Sequence, residues 1–233
     1  MQFIVHLQIF DRFPSMRLAV AVAHGVDNQK ERPQITARWQ QVWAEATKAA
    51  VYGNAQSHPQ VKPWRARFQA MGVSGKEFPS SIEALLRRAL KGGMPFQINP
   101  LVDFYNTVSL QHVVPVGAFD LRQLHGPLEL RLTQPGDQFI ALDAESPVAV
   151  PPGEIAYADG QAILTRHFVW RQDRTSLITP STQEVFLVSE VPGEVGEEVA
   201  EAVLVDFRTG LQEYFGVAPQ TFLVDAQNRS VSW

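Results

Sequence analysis

The chain has 233 residues, of which 45% are hydrophobic and 19% charged, and it contains no cysteine. That length and apolar content can bury a real core and suit one domain better than several. Without cysteine there are no disulfides, thiolate nucleophiles or cysteine-held zinc, which points to a reducing cytoplasm, and a formal charge of −4 excludes a protein that holds nucleic acid mainly by neutralising phosphates. DNA is therefore not expected as a partner, and any RNA contact must be local.

The opening Met-Gln-Phe-Ile-Val-His has no basic stretch before a long apolar run. No later segment approaches the roughly 20 apolar residues of a membrane span, so a soluble cytoplasmic protein with no membrane partner is expected. The run 18–23 is continuously apolar and closes at Gly25, which predicts a strand buried on both faces inside a sheet. Ile35, Trp39, Val42, Trp43, Ala46 and Ala50 recur at helical spacing up to Gly53. A second helix is predicted over about 59–71, with Trp64, Phe68 and Met71 on one face. Ser80 and Glu83 form a capping-box pattern before a third helix that Gly92-Gly93 ends, and Asn99-Pro100 opens a fourth.

From about Pro127 the pattern turns to short strands at 128–132, 139–142, 155–158, 162–165 and 185–189, with Asp159-Gly160 as a hairpin turn. Val199, Val203, Phe207, Leu211 and Tyr214 then predict a helix ending near Gly216, followed by a hairpin over 222–233. Helices, then strands, then a closing helix and hairpin predict an α+β layered fold. Lys62, Arg65, Arg67, Lys76, Arg87, Arg88 and Lys91 form the densest basic stretch. They fall on the predicted helices and read as ordinary solvated helix faces.

One segment is more specific. Val102, Asp103 and Asn106 lie on the fourth helix, and Pro115, Ala118, Phe119 and Asp120 follow at a fixed distance. This spacing resembles the signature of the B3/B4 module of the phenylalanyl-tRNA synthetase β subunit, where a helix bearing Val-Asp-x-x-Asn leads through a turn into Pro-x-His-Ala-Phe-Asp. The resemblance continues through 121–126, Gly136-Asp137, Leu142-Asp143 and Thr182, covering roughly 99–190. The earlier helices look like those of freestanding relatives of the module, and the chain is identified as one of them. It implies a B3/B4-like layered fold, with a mixed or antiparallel sheet flanked by helices. The expected organisation is a single domain over 1–233, with a helix-rich part at about 1–98, signature and sheet at about 99–191, and closing helix and hairpin at about 192–233.

The resemblance also implies an activity, hydrolysis of the ester between a wrong amino acid and the terminal ribose of tRNA. The implied partners are aminoacyl-tRNA or the tRNA acceptor end, with a free amino acid as the other candidate ligand, and the alternative is a noncatalytic RNA binder. The chemistry needs a positioned water and donors for a developing oxyanion. No cofactor is expected. No metal is expected either, since His6 and His24 have no further ligand at suitable spacing and read as strand or turn residues.

The implied site departs from the family where His precedes Ala-Phe-Asp, because this chain has Gly117 there. Asn106, His112 and His167 are the candidate catalytic residues, an amide that can donate and accept and two imidazoles that could replace the missing one. Tyr105, Gly117, Ala118 and Phe119 are expected to line the pocket. Trp170, Arg171 and Asp173 come from the polar and aromatic stretch 166–174, which suits a zwitterion or an adenosine, although Arg171 and Asp173 could instead form a structural ion pair. Glu190 falls near a carboxylate that in the family reads the side chain of the wrong amino acid.

Overall fold

The computed structural model describes residues 1–233. In chain order the elements are β1 (Gln2–Val5), α1 (Leu7–Arg12), β2 (Arg17–His24), α2 (Pro33–Ala46), α3 (Lys62–Ala70), α4 (Ser81–Leu90), α5 (Pro100–His112) and β3 (Val116–Asp120). There follow β4 (Leu128–Leu132), β5 (Gln138–Phe139), β6 (Val148–Ala149), β7 (Ile155–Asp159), β8 (Ala162–Ile163), β9 (Thr165–Arg166), β10 (Arg171–Gln172), β11 (Glu184–Val191), α6 (Glu197–Phe215), β12 (Gln220–Val224) and β13 (Ser230–Ser232). The fold is α+β, as the element pattern predicts.

An antiparallel four-stranded sheet in the order β12-β2-β11-β3 forms the centre. Successive side chains of a strand point to opposite faces, and the run 18–23 divides accordingly. Leu18, Val20 and Val22 join Phe186, Val188 and Phe119 in a core shared with the second sheet, while Ala19, Ala21 and Ala23 join Val185 and Leu187 under α5 and α6. Both faces are covered, so β2 is apolar throughout 18–23. The small alanines let the helices sit close, and α6 approaches α5 so nearly that a Cβ on Gly210 would lie 2.2 Å from the Phe104 ring.

The second sheet has seven strands in the order β13-β1-β4-β7-β8-β5-β6, with β1 and β4 parallel. Phe3, Leu128, Leu130 and Tyr157 from it meet the β2/β11 face, and Trp39, Trp64 and Phe68 of α2 and α3 complete the same core. A short ladder of β9 and β10 stands apart from both sheets.

Several local expectations change. The terminal segment predicted as a hairpin divides between sheets: β12 pairs with β2, and β13 pairs with β1. Each strand finds a deeper apolar partner than its sequence neighbour, and the Asp225 turn between them serves as a bridge. The capping box at α4 is half made. Ser80 accepts from the Glu83 N–H, but the Glu83 carboxylate, 1% exposed, turns to Arg65 at 2.7 Å and Arg87 at 2.5 Å. Arg67 pairs with Glu194 at 2.5 Å. Three of the seven cations of the basic stretch, Arg65, Arg67 and Arg87, thus pair with carboxylates of the protein itself.

Candidate functional site

The signature segment is built from capping interactions. The Asn99 side chain accepts from the Val102 N–H at 3.0 Å at the start of α5, and Asn28 donates to Asn99 and accepts from the Leu101 N–H, which fastens the helix to the loop after β2. Val113 ends α5 in the left-handed region at φ 51°, redirecting the chain into β3. Asp120 at the far end of β3 accepts from the Arg122 N–H and from the Thr182 hydroxyl at 2.7 Å. Asp120 and Thr182 are both buried, so these two matched positions hold the strand in place.

Between α5, the open edge of β3 and the segment 165–172 lies a cavity of about 210 Å³. Tyr105 and Asn106 line it from α5, and Gly117, Ala118 and Phe119 from β3. Phe168, Val169, Trp170, Arg171 and Gln172 form the opposite wall, with Tyr157 and Glu190 contributing from β7 and β11. Eight of the eleven residues singled out from the sequence thus border one cavity: Asn106, Tyr105, Gly117, Ala118, Phe119, Trp170, Arg171 and Glu190. A Cβ built on Gly117 would meet no atom within 4 Å, so the position where the family carries its His is open space.

Glu190 is the electrostatic anomaly. Its carboxyl is 3% exposed and is contacted by the Tyr157 hydroxyl, with no cation beside it. Burial raises its pKa from 4.5 to about 8, against the smaller lowering by Tyr157 and the backbone. Burial, reinforced by the neighbouring carboxylate, also pushes the Tyr157 phenol well above its ordinary value. Gly117 is the register partner of Val188, and Glu190 lies two residues further on the same face of β11. The missing side chain at Gly117 therefore leaves the approach to Glu190 clear.

Three expected site residues lie elsewhere. His112 pairs with Asp206 at 2.7 Å and ties the end of α5 to α6. Six residues separate it from Asn106, a rotation that puts the two about 120° apart on the helix. His167 sits in the left-handed region at φ 47°, its N–H donates to Glu154, and its ring packs on Phe78 at 3.9 Å between centroids. It borders a separate cavity of about 390 Å³ with Arg12 and Arg67. Burial lowers its pKa, with Glu154 opposing and Arg166 adding to the effect. Asp173 is 2% exposed and accepts from the backbone and hydroxyls of Thr175 and Ser176, so it shapes the turn after β10 and does not line the cavity. Arg171 pairs with Asp143 at 3.0 Å instead of Asp173, and lies 6.0 Å from the Trp170 ring.

Among the lining residues that the sequence does not single out, two make polar contacts at the site. Gln172 reaches the Ala118 carbonyl at 2.8 Å, and Tyr157 meets Glu190. Gln172 belongs to the unusual stretch 166–174, which was its only signal. Tyr157 stands in an apolar strand and resembles any core aromatic.

The model of the B3/4 domain matches residues 64–199, more than half of the sequence, and the chain belongs to that family. Among characterised relatives, the phenylalanine–tRNA ligase beta subunit of Idiomarina loihiensis is 35% identical over 92 residues, covering 40% of this chain and 11% of that protein. The corresponding subunit of Pseudomonas putida is 29% identical over 92 residues, again 40% of this chain, and 12% of its own length. The match thus spans little more than a tenth of either ligase subunit. A crystal structure of an N-terminal fragment of the Pyrococcus horikoshii phenylalanyl-tRNA synthetase beta subunit aligns with 96% of this chain and 53% of its own at 11% identity and a TM-score of 0.44. No helix is long and apolar enough to cross a membrane.

Proposed function

We propose that this protein is a hydrolase that removes the amino acid from mischarged aminoacyl-tRNA, acting in trans as one domain over its full length. The observation that carries the reading is the gathering of Asn106, Gly117, Ala118 and Glu190 around one cavity beside an open strand edge. Its volume of about 210 Å³ suits an aminoacyl group and leaves the nucleotide to the cavity mouth, where Trp170 and Arg171 offer a stacking face and a cation. A tRNA-related role agrees with the relatives, and the acidic net charge makes recognition of the acceptor end local.

Glu190 takes the place of the absent imidazole. A carboxyl with a pKa near 8 is poised for proton transfer close to neutral pH, where base strength and population of the base balance. As carboxylate it accepts a proton from water while the water oxygen bonds to the acyl carbon. The bond from that carbon to the ribose oxygen then breaks, and the ribose oxygen takes the proton back from Glu190. The products are a free amino acid and uncharged tRNA. Asn106 orients the water or the α-amino group, since an amide both donates and accepts.

Deacylation of a panel of mischarged tRNAs tests the reading. Turnover above the uncatalysed rate, reduced at least about tenfold in Asn106→Ala, is expected. No turnover on any member sinks it. The second reading, a noncatalytic binder of the tRNA end, is favoured by the open space at Gly117. It would show tRNA binding that Asn106→Ala weakens, with no hydrolysis in either protein.

A further inference from the structure

β3 is the outermost strand of the four-stranded sheet, and an edge strand turns alternate backbone groups away from its neighbour. Two bonds identify which residues turn outward. The Ala118 carbonyl accepts from Gln172 Nε2 at 2.8 Å, and the Asp120 N–H donates to the Ser176 carbonyl at 3.0 Å. Gly117 and Phe119 therefore bond to Val188 and Phe186 of β11, and Ala118 directs both its N–H and its carbonyl over the edge.

The two outward groups of Ala118 differ in their state. Gln172 satisfies the carbonyl. The N–H has no partner in the protein, although Ala118 is 1% exposed and forms part of the cavity wall. Unpaired buried N–H groups are rare because desolvation without a partner is costly. An N–H left open on a cavity wall calls for an acceptor carried by whatever fills the cavity. Fixed backbone donors of this kind also need no rearrangement as charge develops on their acceptor.

The ligand chemistry follows from what the other groups leave over. Asn106, across the cavity on α5, can accept as well as donate, and the Glu190 carboxyl is engaged by Tyr157. The backbone donor at the edge is matched to an sp² oxygen. We infer that the Ala118 N–H receives the acyl carbonyl oxygen of the bound ester, and the negative charge that gathers on that oxygen when water adds to the acyl carbon. Gln172 is the positioning residue of this arrangement, because its bond to the Ala118 carbonyl holds one side of the outward-facing edge. The inference rests on the hydrolase reading and specifies the donor that reading needs.

Replacing Ala118 by its α-hydroxy acid analogue, lactate, exchanges the N–H for oxygen at nearly constant shape. The Ala118→Pro variant removes the same donor genetically, at an edge position where proline is tolerated. Both are assayed as the full chain on the mischarged tRNA panel, with melting curves to establish folding. A fall in kcat of about 100-fold, with KM changed less than about threefold, is the expected result for a donor used in the transition state. If the lactate protein folds and keeps the wild-type kcat, the inference is overturned and the hydrolase reading stands, whatever the proline variant does. If the wild-type protein turns over no member of the panel, both are overturned.

Discussion

The Tyr157 hydroxyl donates to the Glu190 carboxyl across the seam between the two main sheets, joining β7 to β11 at one wall of the cavity. Glu190 is held without a cationic partner, and burial raises its pKa to about 8. A fold selected for stability alone would place an apolar side chain there. Retaining the acid is understandable if its proton is used.

The cost of Glu190 has a defined pH dependence. An unfolded carboxyl releases its proton near 4.5, whereas the folded one holds it to about 8, so the folded state binds the extra proton between these values. Stability from this group is complete below about pH 4.5, declines as pH rises, and stops declining above about 8. Glu190→Gln should therefore stabilise the protein by about 4 kcal/mol at pH 8 and hardly at all at pH 4.5. Melting temperatures at both pH values check this, and an equal shift at the two would contradict the raised pKa.

In the proposed hydrolysis the same group should set the rate profile. Tyr157 is the titratable side chain in contact with Glu190, and its phenol stays protonated across the working range. The proposed mechanism uses the Glu190 carboxylate, so kcat should climb roughly tenfold per pH unit below about 8 and level off above it. In Glu190→Gln the climb should vanish and kcat fall by about 100-fold or more. A pH–rate series on both proteins decides the matter.

A His introduced at Gly117 meets no atom at its Cβ and projects toward the face that carries Glu190. Gly117→His should fold with its melting temperature changed by less than about 4 °C. If it deacylates through the imidazole, the inflection of the pH–rate curve should move from about 8 toward about 6.5.

Arg171 and Asp173 separate a cavity residue from a scaffold residue two positions apart. Asp173→Ala strips the Thr175 and Ser176 turn of its buried acceptor and should cost about 2 kcal/mol or more. Arg171→Ala loses an ion pair with exposed Asp143, worth less than about 0.5 kcal/mol, yet should weaken tRNA binding. Denaturant unfolding and tRNA titration of the two variants provide the comparison.

Gly210→Ala forces a methyl into the Phe104 ring at the contact of α5 with α6. Because α5 also carries Tyr105 and Asn106, the variant should lose about 1–3 kcal/mol in denaturant unfolding and lose ligand affinity with it.

Local patterns sufficed for much of the architecture. The apolar run of β2, the Asn99-Pro100 start of α5 and the Asp159-Gly160 turn are each decided within a few residues, by burial on both faces, a side-chain cap and a positive φ of 58° at Gly160. β1, α1 and β3 were not legible, since short apolar stretches acquire their form from the sheet or core that receives them. The two closing strands looked like a hairpin for the same reason: their alternation is visible, but the choice of partner is not.

For the site, the family signature and hence the neighbourhood of Asn106, Gly117 and Ala118 are legible along the chain, because side-chain caps fix where α5 starts and where β3 ends. Which distant groups join them depends on how the sheets and helices pack. That packing draws Tyr157 and Glu190 in across the sheet seam, turns His112 toward Asp206, lays the His167 ring on Phe78, and commits Asp173 to a turn. The pKa of Glu190 and the free N–H of Ala118 are likewise properties of burial and of an open sheet edge, and those come from packing between segments far apart in the chain.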